Sequence, residues 1–175
     1  MNARSVWTYR GVFALLALTV LFVALLPFNA GEGGWPGPEL TLCLIAAWVL
    51  RRPDYVPVWL LLILLLLDDA LLMRPLGLWT LIVLLTSEYL RRRVDHAEVM
   101  SFWSETGLVA GCIVVAFLAN HLALVILLAE TPPLTGQALH ALATIVFYPA
   151  TAVFSQLIGV RRLAPGELDS MGTRA

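Results

Sequence analysis

Two adjacent carboxylates, Asp68 and Asp69, interrupt an otherwise apolar run and are the residues best placed to do chemistry. In hydrocarbon a charged carboxylate is costly unless it is paired, neutral or wet. An anion is also disfavoured near the C-terminal end of a helix. Three uses fit the doublet. It could be a polar anchor that fixes a helical hairpin or engages a partner helix. It could be an interfacial pair tied to Arg74. It could be a proton or ion relay, but that needs a further chain of acids, which the sequence lacks. Helical neighbours point about 100° apart, so one of the two is expected to face a bundle and the other a lipid edge. Asn120 and His121 form a second polar pair inside an apolar run. Such pairs bond across helices as packing glue worth about 1 kcal/mol; a substrate or ion ligand is the sharper reading. His140 is expected to be solvated near a helix start. Glu88 precedes Arg91 and Arg92 at helical spacing and reads as a surface ion pair, with Glu105 in a similar role.

Other chemistry is missing. Cys43 and Cys112 lie in apolar runs and read as small buried hydrophobes. There is no CxxC or HExxH spacing, so no metal is expected, and no phosphate-cradling glycine loop points to a cofactor. Ser87, Ser101, Ser104 and Ser155 have no His or Asp at a suggestive spacing. The sequence reads as a non-enzymatic protein.

The elements that hold these residues follow from composition. Of 175 residues, 60% are hydrophobic and 13% charged, and mean hydropathy is +0.86. Soluble domains carry roughly a quarter charged residues. The expected solvent is lipid, and the expected class is an all-α integral membrane protein of one domain over residues 1–163. A net charge of −1 argues against nucleic acid. Apolar runs bounded by Arg, Pro and Gly predict six helices, over about 11–28, 38–50, 55–73, 75–89, 104–128 and 137–160. The second is short enough to be a re-entrant segment instead. Pro75 is expected to open the fourth helix directly after Arg74, giving a tight antiparallel hairpin. Asp95 to Phe102 reads either as a short surface helix or as the first turns of the fifth. Gly107 and Gly111 form a small-residue strip. Pro149 should kink the sixth helix. The segment 164–175 is expected to be a disordered cytoplasmic tail.

Arginine placement sets the orientation. All eleven basic residues are Arg. With six crossings and the N-terminus inside, every one but Arg74 falls on the cytoplasmic side. Both termini are then expected on the cytoplasmic side of an inner membrane.

The stretch from Leu67 to Trp79, which carries Asp69, Arg74, Pro75, Leu76 and Gly77, resembles the signature of the MreD family of rod shape-determining proteins. The matching aspartate is Asp69, eight residues before Gly77; Asp68 is an extra acid, and Arg74 stands where a small residue is common. Pro38-Glu39, Arg51-Arg52-Pro53, Tyr148-Pro149 and Arg161-Arg162 also fit. The resemblance implies a fold similar to the substrate-binding component of energy-coupling-factor transporters. It also implies a non-catalytic scaffold of the cell-wall elongation machinery that maintains rod shape. The implied partner is an MreC-like bitopic membrane protein, with the MreB filament, RodA and a class B penicillin-binding transpeptidase reached indirectly. The rival reading is the substrate-binding subunit of a vitamin or metal transporter. It expects an outward polar pocket and an Ala-x-x-x-Ala strip, but Ala14, Ala17 and Ala24 in the first helix show no four-residue repeat.

Overall fold

A computed structural model of the chain describes residues 3–26, 37–96, 101–129, 131–158 and 160. Among these, all regular structure is helical: α1 (Ala3–Leu25), α2 (Leu40–Arg51), a single 3-10 turn (Pro53–Tyr55), α3 (Val58–Leu71), α4 (Leu78–His96), α5 (Phe102–Ile126) and α6 (Leu134–Leu157). The expected tail at 164–175 and the Arg161-Arg162 pair lie outside the described residues, as does most of the loop after α1.

Among the described residues, three helices are long and apolar enough to cross a membrane: α1 over Val6–Leu25, α5 and α6. The other three differ for separate reasons. At about 1.5 Å per residue, α2 and α3 reach only about 18 and 21 Å, against a hydrocarbon core of about 30 Å. α4 is long but carries Glu88 and Arg91 to Arg93.

α2 is the centre of the bundle. Every residue from Thr41 to Arg51 is buried, and its main neighbours are α6 and α4. A helix apolar on all faces finds its stable place enclosed by others. Around it, Phe13 and Tyr55 pack on Trp48, and Trp79 meets Phe117 edge-on. The outer helices turn large apolar side chains outward, among them Leu15, Ile63, Leu85, Val115, Leu122 and Val146.

Contacts between helix ends fix the directions. Arg10 of α1 donates to the Asp54 carbonyl at 3.2 Å. Arg91 of α4 donates to the Val56 carbonyl at 2.8 Å. Arg51, ending α2, meets Glu105 in the first turn of α5. At the opposite end Glu39, Arg74 and His140 converge. Successive helices therefore alternate in direction.

The helix boundaries depart from the sequence reading at the polar turns. α3 stops at Leu71 rather than Met73, because Met73 takes a left-handed φ of 54°. The Arg74 N–H then bonds back to the Asp69 carbonyl at 3.0 Å, which satisfies an end carbonyl of α3. Pro75 does not open α4; a turn through Leu76 and Gly77 intervenes, and the helix starts at Leu78. α5 ends in the same way, with Leu128 at φ 53° and the Ala129 N–H bonded to the Leu124 carbonyl. The arginine run does not stop α4, which continues to His96. Cations are favoured in a last helical turn, and Glu88 pairs with Arg91 and Arg92 along the same face. The described parts of the Asp95–Phe102 segment belong to the end of α4 and the start of α5.

Candidate functional site

The turn between α3 and α4 is built on Asp69. Its Oδ2 accepts from the Gly77 N–H at 2.9 Å, the Thr80 N–H at 3.2 Å and the Thr80 hydroxyl at 2.8 Å. Gly77 has a φ of 84°, a left-handed backbone that favours glycine. Its carbonyl receives the Leu81 N–H at 2.9 Å, which makes Gly77 the N-cap of α4. A glycine N-cap has no side-chain oxygen for the free N–H groups of the first turn. Asp69 supplies that oxygen from the preceding helix, and its negative charge sits where the α4 dipole favours it. The cap bridges the eight residues from Asp69 to Gly77. Asp69 is 0% exposed, so its contacts are internal.

Asp68 is buried as well, which corrects the expectation that one of the doublet faces the lipid edge. The reason is Arg74. Its guanidinium lies 3.6 Å from Asp68 Oδ2, 2.9 Å from Glu39 Oε2 and 5.5 Å from the centre of the Trp79 ring. One arginine therefore links the start of α2, the end of α3 and the start of α4. α6 joins this cluster through His140, whose Nε2 is 3.7 Å from Glu39 Oε2 and whose ring packs edge-on against Phe117. His140 is thus half-buried and engaged rather than merely solvated. Thr144 completes the wall: its hydroxyl accepts the Glu39 N–H at 3.0 Å and donates to the His140 carbonyl at 2.7 Å.

The cluster borders two cavities. One of about 450 Å³ lies between α4, α5 and α6, lined by Glu39, Arg74, Trp79, Phe117, Asn120 and His140 among others. A second of about 590 Å³ lies on the α1 side and shares Glu39, Arg74 and His140. The two are divided by the ion cluster.

The sequence-selected residues fall into separate groups. Asp68, Asp69, Arg74 and Gly77 come together at one turn, where Pro75 and Leu76 are exposed. Asn120 lines the first cavity, as do Arg74 and Pro75. His121 does not line it; its Nδ1 is buried with no hydrogen-bond partner among the described residues. Pro149 lies inside an unbroken α6, remote from the turn. Gly107 and Gly111 face outward, and a Cβ at either would meet nothing within 4 Å. Among the described residues, no group of His, Cys, Asp and Glu is arranged to hold a metal ion.

The sequence reading names Glu39, Arg51, Glu105 and Tyr148 but joins none of them to one another or to Arg74. Arg51 Nη1 is 3.0 Å from Glu105 Oε1, with both side chains almost wholly buried, and the Tyr148 hydroxyl donates to the same carboxylate oxygen. The expected surface role of Glu105 is therefore corrected: it is the counter-ion of a buried arginine. The usable signal was positional, since alternating helix directions put Arg51 and Glu105 at the same end.

No family model, curated protein or solved structure matches this chain.

Proposed function

We propose that this chain is a multi-pass protein of the bacterial inner membrane, a non-catalytic scaffold of the kind the MreD resemblance implies. In this reading all six helices cross, both termini are cytoplasmic, and the fold is similar to that of energy-coupling-factor substrate-binding components. α2 and α3 can be short because α2 is enclosed by protein and α3 ends in a turn whose Gly77 and Thr80 N–H groups are satisfied by Asp69. The outward-facing leucines and valines meet lipid or a partner helix.

The observation that carries the reading is the Asp69 cap on α4. The residues that carry the resemblance, Asp69 and the Leu76-Gly77 pair, are those that lock the α3–α4 hairpin. A rigid hairpin at one end of a bundle suits a docking element, not a moving or catalytic one. The outward Gly107 and Gly111 strip on α5 offers close approach for the transmembrane helix of an MreC-like partner. The elongation proteins beyond that partner are reached through it.

Affinity purification of the tagged chain from its native membrane tests this. Wild type should retain a bitopic membrane partner, and Gly107→Leu should lose it while folding normally. Recovery of the same partner with Gly107→Leu removes the proposed interface; recovery of no membrane partner with wild type removes the scaffold role.

A further inference from the structure

We propose that the cavity between α4, α5 and α6 binds a small organic cation, an ammonium group on an aromatic or apolar body. This goes beyond the scaffold role and stands independently of it. At about 450 Å³ the cavity is in the size range of small-molecule sites. Its lining has the makeup of such sites: an apolar majority with a few convergent polar groups. Glu39, Arg74, Asn120, Gln137 and His140 supply the polar groups, and Trp79 and Phe117 the aromatic surface.

The charge at the wall selects the ligand's sign. Glu39 and Asp68 place two carboxylates around the single guanidinium of Arg74. Asp69 is a third carboxylate nearby, but its charge is directed at the N–H groups of α4. One negative charge is left over, in surroundings where an unbalanced charge is expensive. Asp68 Oδ2 shows the same shortfall: it is buried and has no hydrogen-bond partner, only the longer ion-pair contact to Arg74. Arg74 cannot turn to an anionic ligand without abandoning these carboxylates. Both neighbours of the Glu39 carboxylate approach Oε2, Arg74 at 2.9 Å and His140 at 3.7 Å. A carboxylate accepts about four hydrogen bonds, so Glu39 can take an ammonium as well. Trp79 and Phe117 add apolar surface to the wall, with Arg74 already seated over the Trp79 ring. A proton on His140 or on one of the carboxylates would balance the wall instead, so the site is to be examined at about pH 8, where an ordinary imidazole is neutral and an ordinary carboxylate is ionised.

Calorimetric titration of the full chain in detergent tests this with 2-phenylethylammonium and 3-phenylpropanoate, which match in size and differ in charge. The ammonium should bind at least about tenfold tighter than the carboxylate. Glu39→Gln should erase that preference. Because Glu39→Gln disturbs the ion cluster, Asn120→Leu and Gln137→Leu, on the cavity wall outside that cluster, provide a second arm. Each should weaken ammonium binding about tenfold without lowering the unfolding temperature. Equal affinity for the two probes, no ammonium binding at all, or unchanged binding in both leucine variants overturns the proposal. Partner retention on affinity purification would be unaffected by any of these outcomes.

Discussion

Replacing Asp69 separates a helix cap from a functional charge. In Asp69→Ala, three hydrogen bonds to Gly77 and Thr80 are lost at once. Losing an N-cap side chain costs about 0.5–2 kcal/mol, and leaving a buried donor unsatisfied costs about 1–3 kcal/mol. The Thr80 hydroxyl can rotate to another acceptor, so its loss adds little. The sum is a destabilisation of about 2–5 kcal/mol. Asparagine is nearly as good an N-cap as aspartate and keeps an oxygen at the Oδ position. Asp69→Asn should therefore lose only about 1–2 kcal/mol, the difference between a charged and a neutral acceptor. Reversible unfolding in mixed micelles, followed by circular dichroism, gives the ranking. The cap account requires wild type, then Asn, then Ala, with Asn retaining partner capture. If Ala is within about 0.5 kcal/mol of wild type, the three bonds do not hold the turn. If Asn is as stable as wild type yet as inactive as Ala, the charge itself is functional and the cap is incidental.

Four further outcomes follow from the same geometry. Glu105→Ala, which strands a buried Arg51, should destabilise by about 3–5 kcal/mol, whereas Arg51→Met with Glu105→Leu should recover most of that loss in the same unfolding assay. Gly77→Ala should cost about 1–2 kcal/mol, because its φ of 84° is left-handed and no cavity relief offsets it. Met73→Gly, at a left-handed φ of 54° and 93% exposed, should raise stability by about 1 kcal/mol in thermal unfolding. Gly111→Ala, in an open helical position, should stabilise the isolated chain by about 0.5–1 kcal/mol while lowering partner recovery; a gain in both would place the docking surface elsewhere.

The helical class could be read from the apolar runs and their Arg, Pro and Gly boundaries. So could the grouping of Asp69, Arg74 and Gly77, which are close in sequence and joined by one turn. Helix ends were less legible. Pro75 looks like a helix start, yet the left-handed Met73 and the glycine cap displace the start to Leu78. Arg91 to Arg93 look like a stop, yet their cations complement the end of α4, and Arg91 bonds to the Val56 carbonyl thirty-five residues away. The two ion clusters depend on such distant pairings. Glu39 reads as an ordinary first-turn acid until α3 and α6 bring Arg74 and His140 to it. Glu105 reads as a surface residue until α2 delivers Arg51, fifty-four residues earlier in the chain. Local periodicity carries no trace of these partners; only the alternation of helix directions does.

The proposed scaffold needs six membrane crossings, including the short α2 and α3 and the charged α4. Single cysteines in a background lacking Cys43 and Cys112, labelled in intact spheroplasts with an impermeant maleimide, test it most directly. Met73→Cys and Leu128→Cys, on the two most exposed turns, should label from outside. Arg92→Cys should label only after lysis. Labelling of Arg92→Cys in intact spheroplasts, or protection of Met73→Cys, would contradict the six-crossing layout.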